Sequence, residues 1–375
     1  CKFQFFNLNL QCINHKLLLK MKKLITIMSL AIVGFTFAQE EEQSSKFNVT
    51  GSVDAYFSNS LNGPNDQATV VTDPVTGDVL FTAPPSALMG NDDRAFSGAN
   101  ANVKLSYEGE KVGFVADLAY GPRANAQFSD FSVVNEAYVY WNASDKLTLM
   151  MGRWNSWMGY ENFAAADNFH YSYSHQYTFG PRNFNGFAMQ YELGSDFKLG
   201  VAIMNPVETT VANTTDEYSF AAGLSKGDFG ISFLTSEDET FIDIKAKVNF
   251  SDSFSVDLNA NLASWDENAT LTGTRAAFLP DTEGYTSISA YTQVQSTESF
   301  AWGIRLEYFN IIADDSGDDT NVITPTLTGN YSVGDLTIRP ELRLDSASDD
   351  IFLNSDMDGD QSGLASFTLA AIYSF

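Results

Sequence analysis

The chain is short of the residues on which most soluble enzymes depend. Its two cysteines, Cys1 and Cys12, both precede the first methionine, Met21. Nothing after Met21 supplies a thiol, which excludes disulfides, thiol catalysis and thiolate metal sites. Histidine is nearly as scarce: past that methionine only His170 and His175 are found. Basic residues are few as well, with 16 Lys+Arg against 47 Asp+Glu after residue 38, a net charge of −31. A polyanion needs a basic footprint, so nucleic acid is excluded as a partner. Long apolar runs are also missing. No stretch after residue 38 stays apolar for the roughly 20 residues of a spanning helix.

What is present begins with MKKLITIMSLAIVGFTFAQ from Met21, in which two lysines lead into an apolar run ending in Thr36 and Ala38. That is the plan of a secretory signal peptide, residues 21–38, with cleavage expected before Gln39. Residues 1–20 stand upstream of it and are read as an extension foreign to the protein. The mature chain, 39–375, has no cysteine to carry a lipid anchor.

From residue 46 onward the dominant pattern is alternation. In LTIRPELRLD, Leu336, Ile338, Pro340, Leu342 and Leu344 point one way, and Thr337, Arg339, Glu341, Arg343 and Asp345 the other. FIDIKAKVNF (241–250) and FSVDLNANLAS (254–264) repeat the pattern. Period two means a strand with one apolar and one polar face. A secreted β-sandwich or β-helix also fits that pattern, but three features favour a membrane barrel. The strands are longer than the five or six residues of about average soluble sheets and match the roughly 9–11 of a tilted membrane strand. Their polar faces carry charge, as a wet lumen requires. Their connections alternate between tight polar turns, such as GEK, GSD and SVGD, and long loops near 59–98, 155–183, 266–283 and 347–363.

The expected fold is therefore all-β: a closed, antiparallel, up-and-down transmembrane barrel of about sixteen strands. Both termini fall on the short-turn, periplasmic side. The chain ends ASFTLAAIYSF, alternating up to a final Phe375, a pattern similar to the signal through which barrel-assembly machinery takes up outer-membrane proteins. Pro340 cannot donate a ladder hydrogen bond, so a bulge is expected there.

Sixteen strands enclose an aqueous channel, so function is expected in the lumen charges and the loops that narrow it. Lys245, Lys247, Arg305, Arg339 and Arg343 are candidate pore-lining cations, since an arginine facing lipid at mid-depth costs about 2–4 kcal/mol. Glu307 and Glu341 oppose them, with Asp243, Asp257 and Asp345, so the sign of ion selectivity stays open. Asp356, Asp358 and Asp360 alternate around Gly359, resembling half a calcium loop without its closing glutamate. An acidic solvated loop is the plainer reading. Otherwise no cofactor is expected.

GYENFAAADNFHYSYSHQYTFGP (159–181) gathers both histidines with Glu161, Asp167, Ser172, Ser174 and many aromatic rings. Hydrolase chemistry needs a base against a hydroxyl, yet neither G-x-S-x-G nor H-E-x-x-H occurs, and the protein is not expected to be an enzyme. Following the fifth strand on the long-loop side, the stretch is read as a constriction loop with Glu161, Asp167, His170 and His175 facing the solute path.

GSVDAYFSNSL (51–61), GRWNSWMGYE, FNGFAMQYEL and LGVAIMN together resemble the β-barrel porin family of OmpL-like outer-membrane proteins. The resemblance implies an outer-membrane channel of a Gram-negative bacterium, open to passive diffusion of ions and small polar solutes. It also implies contact with lipid and lipopolysaccharide, and a homotrimer as one possible assembly. A plugged barrel whose loops bind a ligand or surface partner, and a lipid-acting hydrolase, stand as rivals.

Overall fold

The computed structural model describes residues 46–375 apart from 64–69, 73–78, 83–94, 129–132, 208–216, 252–253, 267–268, 270–274, 276–278, 280–281, 315–316 and 357. Residues 1–20 and 21–38, read above as an upstream extension and a signal peptide, lie outside the described residues.

Sixteen strands close on themselves, each antiparallel to its neighbours. They are β1 (Phe47–Ser60), β4 (Ala95–Glu108), β5 (Val112–Tyr120), β6 (Val134–Ser144), β7 (Leu147–Asn155), β8 (Asn183–Gly194), β9 (Phe197–Met204) and β10 (Ser219–Lys226), followed by β11 (Phe229–Thr235), β12 (Glu239–Ser251), β13 (Phe254–Trp265), β14 (Thr282–Thr297), β15 (Phe300–Ala313), β16 (Thr320–Val333), β17 (Leu336–Ala347) and β18 (Gly363–Ser374). A small hairpin, β2 (Val70–Thr72) and β3 (Val79–Thr82), sits in the first long connection. The barrel closes where β1 takes β4 on one side and β18 on the other, with Val53 opposite Tyr373 and Phe57 opposite Leu369. An even strand count leaves the start of β1 and the end of β18 at the short-turn end. Tightness there depends on backbone that turns left-handed: Gly227 and Gly334 have φ of 54° and 58°, which glycine adopts without steric cost.

Alternation along each strand divides outside from inside. On β15, Ile304 and Leu306 are 40% and 50% exposed while the intervening Arg305 is 0% exposed. On β17, Leu342 and Leu344 face out, and Arg339, Glu341, Arg343 and Asp345 are buried inside. Apolar positions thus form the lipid-facing surface, and the charged residues face the lumen. Pro340 departs from expectation, because the register runs without a shift from Thr328–Glu341 to Tyr331–Ile338. On its other side Pro340 pairs in unshifted register with Leu369 of β18, so no bulge forms there.

Part of the space that sixteen strands enclose is filled. Wall residues from β10 round to β17, including Ser219, Asp243, Ser289, Arg305, Thr324 and Glu341, are at most 2% exposed. The long connection between β7 and β8, residues 156–182, is folded into the barrel and covers them.

Candidate functional site: the loop inside the barrel

The 156–182 loop leaves β7 and re-enters at β8 with its ends tied together, Ser156 N donating to Arg182 O at 2.8 Å. Between those ends it has little regular structure: one 3-10 turn, Ala165–Asp167, and one short helix, α2 (His175–Phe179), after α1 (Pro122–Phe128) in the preceding long connection. An irregular backbone buried inside a protein must find partners for its N–H and C=O groups. Here the barrel wall provides many of them.

Two wall glutamates each take a pair of successive amides. Glu341 accepts from Tyr171 N at 2.7 Å and Ser172 N at 2.9 Å. Glu307 accepts from His175 N at 2.9 Å and Gln176 N at 2.8 Å, at the start of α2. The Ser174 hydroxyl caps that helix by accepting from Tyr177 N at 3.0 Å. Arginines take the carbonyls: Arg305 donates to Ser172 O, Arg343 to Tyr173 O and Arg339 to Ala165 O. Arg305 also pairs with Glu161 from the loop itself, with side chains 0% and 4% exposed. The alternating charges read as pore-lining are therefore largely occupied in holding the loop.

Both histidines dock on the same wall. His170 Nδ1 lies 2.7 Å from Thr328 Oγ1, and His175 Nε2 lies 2.9 Å from Asp345 and 3.0 Å from Arg343. Neither meets a serine: Ser172 Oγ accepts from Arg305 at 3.1 Å and Ser174 Oγ donates to Glu161 at 2.7 Å. The raw material for nucleophilic chemistry is present but is not assembled.

A second anchor was invisible to pattern reading. Arg123 of α1 lies 5.0 Å from the Tyr171 ring centre and 5.5 Å from that of Tyr173, and donates to Asp54 of β1 at 3.1 Å. Tyr171 OH donates to the same carboxylate at 2.7 Å. Asp54 stood in an unremarkable alternating strand and Arg123 in a connection, so no local signal marked either.

Across the barrel the loop meets a different surface. Trp154, Met158, Phe179, Phe184, Met204, Leu234, Phe241, Trp265, Tyr285 and Phe309 form a buried apolar cluster. Trp157 lies over two glycines: a Cβ at Gly200 would sit 3.8 Å from its ring and one at Gly223 only 3.3 Å from its Nε1. Here the loop packs by shape.

Of the other sequence candidates, Asp167 and Lys247 border a cavity of about 950 Å³ beneath the loop, towards the short-turn end. Lys245 donates to loop carbonyls. Asp356 and Asp358 donate their backbone amides to Asn354 Oδ1, while Asn354 Nδ2 donates to Asp360. Among the described residues no group of three or more acidic, histidine or cysteine side chains lies close enough to hold a metal ion.

The closed sixteen-strand barrel with a loop drawn into its lumen defines a class, the porin-like membrane barrels. The family model described as "Putative beta-barrel porin-2, OmpL-like" matches residues 46–375, and the chain belongs to that family. No curated protein matches. Among solved structures, an anion-selective porin from Comamonas acidovorans aligns at a TM-score of 0.53 and 13% identity, over 88% of this chain and 99% of that one. Pseudomonas putida OprB aligns at 0.53 and 10% identity, over 88% and 94%. In-vitro folded OmpT of Vibrio cholerae, in its trimer form, aligns at 0.51 and 11%, over 88% and 99%. At such identities the likeness is one of fold.

Proposed function

We propose that this protein is a porin of a Gram-negative outer membrane that passes ions and small polar solutes by passive diffusion, with the 156–182 loop as its constriction. One observation carries the role of the loop. Its backbone is hydrogen-bonded to charged side chains of the wall, so its position inside the barrel is built in. No covalent step is part of the proposal, because the serines and histidines of the loop are committed to separate structural partners. Tight packing at the loop implies a small conductance, suited to ions and compact solutes rather than oligomers.

Single-channel recording of the refolded protein in a planar bilayer tests this reading. Steps of small conductance are expected in the parent, and larger ones after deletion of 159–179. A deletion variant that conducts like the parent removes the loop from the constriction. A barrel that never conducts, with or without the loop, sinks the porin reading in favour of a plugged barrel. Cross-linking in native membranes checks assembly, for which a homotrimer is the proposed state.

A further inference from the structure

Two polar cavities flank the loop where it crosses β12 and β13. One, of about 20 Å³, is bounded by Gly159, Glu161, Gln176 and Asn261, large enough for about one water. The other, of about 950 Å³, is bounded by Asp167, Lys247, Asn249, Ser255 and Gln293. The inner faces of β12 and β13 join them as a polar ladder: Asp243 stands opposite Asn261, Lys245 opposite Asn259 and Lys247 opposite Asp257. The ladder begins at Asn261 in the smaller cavity and ends at Lys247 in the larger.

Loop residues 157–160 lie across that ladder. Lys245 Nζ donates to Trp157 O at 2.7 Å and to Gly159 O at 3.0 Å. Tyr160 OH donates to Asp257 at 3.3 Å, and its ring stacks 4.2 Å from that of Tyr291. Gly159 has φ of 81°, in the left-handed region, yet a Cβ there would meet nothing within 4 Å. Glycine is required at that point for backbone freedom rather than for space. The segment therefore has a pivot; Lys245 holds two of its carbonyls, and Tyr160 adds its bond to Asp257.

We infer that solutes pass along the β12–β13 ladder, and that Lys245 is the latch holding residues 157–160 across it. The inference rests on the porin reading and names the route within it. β15–β17 spend their charges on the loop backbone and β8–β11 carry small and apolar side chains, while the polar set of β4–β6 is closed on itself, Lys104 donating to Glu136 at 2.8 Å and Asn102 to Asp117 at 3.1 Å. The ladder itself carries Lys245 and Lys247 against Asp243 and Asp257, so the route suits small ions of either sign and neutral polar solutes.

The test records the refolded full chain in planar bilayers. Lys245→Met should raise conductance or open time several-fold, whereas Lys245→Arg, which still donates to both carbonyls, should behave as the parent. With Cys1 and Cys12 changed to serine, Asn259→Cys should lose conductance on treatment with a charged thiosulfonate reagent, and Thr324→Cys on the β16 wall should not. Heat-modifiable migration in detergent confirms that each variant is folded. Should Lys245→Met match the parent, or Asn259→Cys stay insensitive while deletion of 159–179 still raises conductance, the route lies elsewhere and the porin reading stands. Should neither parent nor deletion conduct, the porin reading fails and takes this inference with it.

Discussion

The β15–β17 wall and the β8–β11 wall hold the same loop by opposite means. On the first, the inner positions are charged or hydroxylated: Arg305, Glu307, Thr324, Thr326, Thr328, Arg339, Glu341 and Arg343, all nearly without exposure. The glutamates and arginines among them reach loop amides and carbonyls in fixed directions, and Thr326 and Thr328 bond to Arg305 and Glu341. On the second, inner positions are small, as at Ala188, Gly200, Ala202, Ala221, Gly223 and Ser232, and the loop fills the space with Trp157 and Met158. Directional bonds between buried charges fail abruptly when one partner goes. Packing against small residues degrades in steps, according to how well the gap closes.

The largest effect should therefore come from the charged wall. Glu307→Ala leaves the amides of His175 and Gln176 unpartnered, and Glu341→Ala does the same to Tyr171 and Ser172. A buried donor left without a partner costs about 1–3 kcal/mol, and each substitution leaves two. The double variant is expected to release the loop while the barrel stays closed. The readout is a rise in conductance together with new protease cleavage confined to 156–182. A double variant as protected as the parent would mean that the packed wall alone holds the loop.

Trp157→Ala breaks the other half of the comparison and should cost less. Its ring is half-buried and rests on Gly200 and Gly223, so removing it forfeits about 2 kcal/mol of apolar burial. The loop is expected to stay docked and cleavage-resistant, with a modest rise in conductance. Gly223→Ala approaches the same contact from the wall. Its Cβ would stand 3.0 Å from Ser232 Oγ as well as 3.3 Å from the indole nitrogen, so the ring must shift slightly. If Trp157→Ala released the loop as fully as the glutamate pair, the contrast between the walls would collapse.

The two walls also differ in how far they could be read from sequence. The barrel was legible because its signal is local: alternation at Arg339, Glu341 and Arg343 needs only nearest neighbours, and turn residues punctuate each pair of strands. That these charges face inward follows from the same alternation. What they touch does not. Tyr171 reaches Glu341 across 170 positions in the chain, and the loop has no period of its own to announce a conformation. Strand count suggested an aqueous interior because sixteen strands enclose that much space. Part of that space is taken by a connection whose irregular backbone the wall charges satisfy. Asp54 and Arg123 show the same limit, since their partnership exists only once β1, α1 and the loop converge.

A final difference concerns protons, which act on one wall only. The Thr328 hydroxyl donates its single hydrogen to Glu341 at 2.8 Å, so at 2.7 Å from His170 it must accept from a protonated Nδ1. Burial, then Arg305 and Arg339, hold the His170 imidazolium well below the usual histidine range, and Glu341 at 4.0 Å does not offset them. Tyr291, 6.1 Å away between ring centres, also faces it. An undocked loop would expose an imidazole titrating near about 6.5. The docked form binds the proton less readily, so its stability is complete above that pH and falls as pH drops below it. Protease protection of 156–182 should therefore weaken between neutral and mildly acid pH in the parent. In His170→Gln, which removes the titrating ring, the decline should flatten. A decline that persists unchanged in His170→Gln would show that this ring is not the source of the acid sensitivity.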